Sequence, residues 1–436
     1  MEQQREEKKW RKAFKKKAFS VMKKIDPAVA LVCVMAVSIT VFAIYSLIKG
    51  PSGFLSIFFR DSGDLFMDYF NSIRDVAQGT GVYTDRHVIY PPMANLLFLI
   101  FSRIVPKEYL LSSWEDRLTW TAYPSAILSV FLFLMIPTIL LVLLIRKNMQ
   151  GRENLKWLAV LLLIFNIPML FLYERGNSLI WTVLAVSAYL FYYNDKSVWK
   201  RELALLSLAF AFSLKLYPAI LGLPLLADKR FKDGARCAAY GLLLLLLPSF
   251  CFGGPKCFLW IYQNIRSFSS NAGGALGTFL FLLGALFYVA ACFLQPQRSK
   301  VWLFGMALLR VYPALSSNYS WTLFIAPVVL LCNENERLNE GNWLYFLLSV
   351  APFLYLPGFN WVLNFAIVTL ILYGLLALCG MDTVRALKED HIRKFENTSG
   401  DQYLLNQPLG KRFLRRLSSA KKKAEKKAAK MENNAG

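Results

Sequence analysis

The sequence keeps returning to apolar stretches about as long as the hydrocarbon core of a bilayer is thick. A helix needs roughly 20 mostly apolar residues to cross that core. Such runs occur at residues 28–48, 122–145, 157–173, 176–193, 236–252, 274–294 and 361–380, with shorter ones at 301–313, 319–332 and 342–356. They predict an all-α, polytopic membrane protein with about ten full crossings. Composition agrees, since 56% of the 436 residues are apolar, above the roughly 45–50% of soluble domains. Two apolar stretches do not read as simple crossings. Residues 91–105 are short, and 203–226 lie between basic loops on both sides, so they must enter and leave on one face. Lys215 and Pro218 inside the second stretch predict a broken helix or a hairpin of two short helices, because proline interrupts the backbone ladder.

A net charge of +22 could point to nucleic acid, but its distribution points elsewhere. Residues 1–26 carry ten Lys/Arg against four acids, and 382–436 carry fourteen against seven, so the tails hold +13 of the total. Basic tails beside membrane spans are expected in the cytoplasm, near anionic lipid headgroups. No recognition fold for nucleic acid accompanies them. The organisation expected is a basic N-terminal segment (1–27), a membrane domain (28–380) and a basic C-terminal tail (381–436). The N-terminal segment is too long and too charged for a signal peptide, so the first span is expected to remain as an anchor. Tracing the spans places 49–121 outside as the largest loop, with seven Lys/Arg against eight acids. The seven cysteines show neither metal spacing nor a disulfide framework and read as small buried apolar residues.

Unusual polar residues collect on that outer side. Asp61, Asp64 and Asp68 are spaced i, i+3 and i+7, which on a helix aligns three carboxylates on one face. His87 follows in the same loop. Arg175 and Asn177 sit in "YERGN", Lys215 and Tyr217 at the expected helix break, and Arg310, Asn318 and Tyr319 around "RVYPALSSNYS". Charge at membrane depth is costly and marks function by default. Carboxylates beside such cations suit a substrate with an anionic headgroup and a hydroxyl to be activated. A base takes the hydroxyl proton, and cations hold a phosphate and offset its developing charge. There is no Walker A loop or dinucleotide-binding glycine fingerprint.

The stretch "GDLFMDYFNSIRDVAQGTGVYTDRHVIYPPMANLL" resembles the first outer loop of glycosyltransferase family 87, GT-C-fold enzymes similar to alpha-mannosyltransferases. "LAFAFSLKLYPAILGLPLLADKRF" is similar to the family's Lys-x-x-Pro segment. "RGNSLIWTVLAVSAYLF" is similar to one of its span starts, and "YPALSSNYSWTLFIAPVVLL" to its Pro-x-Ser-x-x-His-Tyr segment. The resemblance implies a hexosyltransferase, mannose being the sugar, that uses a polyprenyl-phosphate donor and an acceptor that is a lipid-linked or cell-envelope glycan. It implies a plasma-membrane protein with both termini cytoplasmic and its active site outside. The family's loop acid falls on Asp64, implied to be the general base, with Asp61 and Asp68 as acceptor or metal ligands. Lys215 takes the place of the family's lysine, and Arg175, Arg310, Asn177, Tyr217 and Tyr319 join it around the phosphate. Where the family often has His before Tyr, this chain has Asn318, and His87 is the candidate to replace it.

Bland readings stand beside these. "DSGD" can start a helix with Ser62 as its cap. Lys215 can snorkel to the interface, and arginine near a helix end is cheap. Two acids, Asp61 and Asp64, leave room for a divalent cation but make a thin site, so no metal ligand is assigned. A polytopic transporter or lipid-glycan flippase would share the broken helices and buried charge. However, the polar residues concentrate at one face and no duplicated half is evident. An envelope-glycan polymerase or ligase would share the substrates but is expected to carry its large outer loop late in the chain.

Overall fold

The computed structural model describes residues 26–50, 65–77, 79, 81–113, 115–269, 275–311, 318–334, 342–354 and 361–397. All regular secondary structure among them is helical. The chain divides into two compact units, Met1–Met381 and Asp382–Gly436. In the second, the described residues 382–397 are helical and carry an Arg385–Asp382 ion pair of 3.0 Å.

The longer helices follow the apolar runs. Helix α1 is Pro27–Lys49, started by Asp26, whose Oδ1 accepts from the Ala28 amide at 2.7 Å with Pro27 in the first turn. The next are α2 (Met67–Ala77), α3 (Pro92–Ser102) and α4 (Pro124–Asn148). Helices α5 (Glu153–Ile164) and α6 (Ile167–Arg175) meet at a 50° bend. Asn166 explains it, since its side-chain oxygen caps the Met169 amide at 2.9 Å and Pro168 follows. Then come α7 (Leu179–Tyr192), α8 (Val198–Leu214), α9 (Phe231–Ser249), α10 (Cys257–Ser269), α11 (Ala275–Leu294) and α12 (Arg298–Val311). The series closes with α13 (Ile325–Glu334), α14 (Trp343–Val350) and α15 (Trp361–Asn397).

Among the described residues, four helices are long and apolar enough to cross a membrane, or five if the bent α5–α6 pair is one span. About ten crossings were expected. The difference arises because several of the expected runs form helices among the described residues that are too short to be counted, including α7 and Trp343–Phe353. The run at 319–332, for example, becomes a 3-10 turn (Asn318–Phe324) followed by α13. In 203–226 the expected break falls at Lys215, whose backbone is extended (φ −145°, ψ 121°) between α8 and the 3-10 turn Tyr217–Gly222.

The packed centre positions everything else. Helix α8 lies between α7 and α9, and α7 also packs on α4. At the α8 N-terminal side the helices are tied by charge. Asp228 accepts from Tyr193 Oη at 2.6 Å and pairs with Arg298. Asp233 is held by Arg230 at 2.7 Å and by Arg236 at 2.5 Å, and Arg236 also reaches Glu202. These links join the end of α7, the first turns of α8 and α9, and the start of α12. The other ends of α7, α8 and α12 lead to Asn177, Lys215 and Arg310.

Candidate active site

Four separate segments converge on Asp68. Arg175 Nη2 donates to Asp68 Oδ1 at 2.5 Å, and Asn177 Nδ2 donates to Oδ2 at 2.7 Å. The same amide lies 3.2 Å from Tyr319 Oη, while Asn177 Oδ1 accepts from the Leu179 amide at 2.9 Å. Asn177 therefore joins α2, the start of α7 and the 318–324 turn in one contact set. The ion pair is half-buried, with side-chain exposures of 22% and 18%. Partial shielding makes it worth more than a surface pair and makes its disruption costly. Burial pushes the Asp68 carboxyl above the usual carboxylate range, opposed by the Asn177 hydrogen bond and the Lys215 charge.

Local backbone chemistry explains how Asp68 meets Arg175. Helix α6 ends in a left-handed Gly176 (φ 64°), whose amide bonds the Tyr173 carbonyl at 3.0 Å. A Cβ there would sit 2.9 Å from Tyr69 Cβ and 3.3 Å from Phe66 Cα, so glycine allows α2 to lie against the end of α6. Across that contact the Phe66 amide donates to the Glu174 carbonyl at 2.7 Å. At the far end of α2, Arg74 bonds the Ser112 and Ser113 carbonyls at 2.7 and 2.8 Å and fixes the helix to the loop after residue 110.

The cations occupy the next layer. The Lys215 ammonium lies 4.2 Å from the centroid of the Tyr90 ring. Among the described residues it makes no ion pair within 4.0 Å. Tyr217 Oη is buried and has no hydrogen-bond partner among the described residues. Tyr217 and Tyr319 interact electrostatically, as do Arg310 and Tyr319. Arg310 is buried in the last turn of α12, 6.0 Å from the Trp321 ring.

The comparison with known proteins decides what this arrangement belongs to. The profile of glycosyltransferase family 87 matches residues 88–332, more than half of the chain. The chain belongs to glycosyltransferase family 87. No curated protein and no solved structure gave a match. The family match contains Arg175, Asn177, Lys215, Tyr217, Arg310, Asn318 and Tyr319, whereas Asp61, Asp64, Asp68 and His87 lie just before it.

Within this family member, Asp68, Arg175, Asn177 and Tyr319 touch directly, and Lys215, Tyr217 and Arg310 adjoin them. His87 does not join. It is exposed in a left-handed conformation (φ 52°), and no contact among the described residues links it to Asp68. Asp61 and Asp64 lie outside the described residues, as does the side chain of Asn318. The expectation that Asp61, Asp64 and Asp68 share one helical face falls on residues outside those described, apart from Asp68. Helix α2 begins at Met67, after a turn in which Phe66 is left-handed (φ 59°). Among the described residues no three His, Cys, Asp or Glu side chains gather to hold a metal ion. The cation considered between Asp61 and Asp64 falls outside them.

Tyr90 is the site residue that the sequence reading passed over. It entered only within the quoted stretch ending "VIYPPMANLL", yet its ring lies under the Lys215 ammonium, and its hydroxyl is within reach of Asn177 and feels the Asp68 charge. The available signal was an aromatic residue directly before two prolines in a polar loop.

Proposed function

We propose that the chain transfers a hexose, mannose first among them, from a polyprenyl-phosphate donor to a lipid-linked or cell-envelope glycan. The observation that carries this reading is Lys215, a half-buried cation with no acid partner among the described residues, beside the unpartnered Tyr217 hydroxyl. A cation kept at membrane depth with no direct ion pair, Asp68 acting on it only from beyond 4.0 Å, suits an incoming anion, and a lipid phosphate delivers one at that depth. Membership of a glycosyltransferase family supplies the reaction class.

In this mechanism Asp64 removes the proton from the acceptor hydroxyl. The acceptor oxygen attacks the anomeric carbon from the face opposite the phosphate. The bond from that carbon to the phosphate oxygen breaks, the polyprenyl phosphate leaves with the electron pair, and configuration inverts. Lys215 and Arg310 offset the charge that grows on the departing phosphate. Asp68, with one oxygen on Arg175 and the other on Asn177, holds the acceptor side of the site in shape. In this reading the shorter helices complete a GT-C-like bundle of about ten crossings with both tails cytoplasmic. The loop 49–121 then faces outside at the plasma membrane.

The test is transfer of labelled mannose from polyprenyl-phosphate mannose to an envelope-lipid extract by the protein in lipid. Asp64→Asn should lower the rate by about 10²–10⁴-fold, the usual worth of a general base. Wild-type rates in Asp64→Asn would move the base elsewhere. No transfer from mannose, glucose or arabinose donors would remove the polyprenyl-phosphate reading.

A further inference from the structure

The loop before α3 is built around one side chain. Gly81 (φ 76°) starts a turn in which the Asp85 amide bonds the Gly81 carbonyl at 2.8 Å. Asn264 of α10 grips the loop twice, donating to the Tyr83 carbonyl at 2.9 Å and the Val88 carbonyl at 3.1 Å. Tyr83 then donates its hydroxyl to the Tyr90 carbonyl at 3.0 Å and accepts from the buried Asn95 amide at 2.9 Å. Pro91 and Pro92 follow at once and fix the backbone that leaves Tyr90. The last link of this chain holds the Tyr90 carbonyl, so the loop itself anchors the backbone that carries the ring.

The ring face lies 4.2 Å from the Lys215 ammonium, and no carboxylate pairs with that ammonium among the described residues. A ring quadrupole attracts a cation without cancelling its charge. A carboxylate there would hold the lysine too, but it would also occupy the charge that a phosphate needs. On the other side, the Tyr90 hydroxyl is within reach of the Asn177 amide and feels Asp68, Tyr319 and Tyr217. Burial keeps that phenol protonated, well above its usual range.

We propose that Tyr90 is a positioning residue for the donor. Its ring holds the Lys215 ammonium, still charged and unpaired, at the place where the lipid phosphate binds. This inference rests on the reading of Lys215 as a phosphate-binding residue. It goes further by explaining how a lysine in an apolar run is aimed without being neutralised by an acid.

The experiment measures binding of a polyprenyl monophosphate to the full chain in lipid nanodiscs, for which the identity of the sugar is immaterial. Thermal midpoints of every variant are followed in parallel. Tyr90→Leu should weaken binding by about tenfold, the order expected for a desolvated cation–π contact, whereas Tyr90→Phe, which keeps the ring, should stay within about threefold. Lys215→Ala should weaken binding at least as much, and adding Tyr90→Leu to it should cost nothing more, since the two act through one contact. A merely structural Tyr90 would show its full loss in the Lys215→Ala background as well, which would overturn the proposal. Equal losses in Tyr90→Phe and Tyr90→Leu would overturn it too, by moving the effect to the hydroxyl. If Lys215→Ala binds like wild type, or wild type does not bind the probe, the phosphate reading itself fails and Tyr90 loses this role with it.

Discussion

The two ends of α7, α8 and α12 carry polar clusters of opposite character. At one end Asp228, Asp233 and Glu202 are matched by Arg298, Arg230 and Arg236, with Tyr193 completing Asp228. At the other, Asp68 is matched by Arg175 and Asn177, but Lys215 has only an aromatic face and Tyr217 Oη has no partner among the described residues. Helix α8, with 17 residues, separates them by roughly 25 Å at about 1.5 Å per residue. The same three helices thus join an end whose Asp228, Asp233 and Glu202 are all ion-paired to an end where, among the described residues, Lys215 has no ion pair. Balanced pairs fix how helices meet, while an unmatched, half-buried cation is costly unless a ligand completes it.

The comparison breaks if the balanced end is not structural. Asp228→Ala strands Arg298, which is half-buried, so stability should fall by about 2–3 kcal/mol after allowance for exposure. The measurement is the thermal midpoint in nanodiscs, and an unchanged midpoint would remove the structural role of that end. The site end is sharpened by Gly176→Ala, which puts a methyl group 2.9 Å from Tyr69 Cβ at a left-handed position. A loss of about 1–3 kcal/mol is expected, and α2 must shift away from α6, so transfer should fall with stability. Full activity in Gly176→Ala would show that the approach of these helices does not set the site.

The smallest effect concerns Asp75, on the same helix as Asp68. Burial pushes its carboxyl up to about 6, against the pull of Arg86 and Arg74. A carboxyl raised in the folded state binds its proton more tightly than in the unfolded chain. Stability should therefore fall as pH rises from about 4 through about 6 and level off above that. Asp75→Asn should flatten this part of the profile in thermal melts between pH 4 and pH 7. An unaltered profile would assign the slope to other groups.

Much of this was legible in the sequence, for reasons that also mark the limits. Arg175, Asn177, Lys215 and Tyr319 stood out because polar residues interrupting apolar runs are costly, and the fold brings them together with Asp68. The break in 203–226 was legible from Lys215 and Pro218, although the backbone turns at Lys215 itself. The number of crossings was less so, because hydropathy measures a run's length without showing where capping residues such as Asn166 cut it. Helical spacing did not show where the helix bearing Asp68 starts, which is at Met67, just after left-handed Phe66. His87 attracted attention by its residue type, but the turn that orients Tyr90 leaves it exposed. The Tyr90–Lys215 and Asp228–Arg298 contacts join segments far apart in sequence, which neither periodicity nor composition encodes.

The central claim is that the Lys215 end serves substrate and the Asp228 end serves the fold. Its most direct test is the rate of sugar transfer per folded molecule for Lys215→Ala and Asp228→Ala, measured side by side with midpoints recorded. The account predicts that Lys215→Ala keeps its midpoint and loses about 10²–10³-fold in rate, the worth of a group that offsets developing charge. Asp228→Ala should lose stability and keep its rate per folded molecule. The reverse pattern, with Lys215→Ala active and Asp228→Ala folded but inactive, would contradict it.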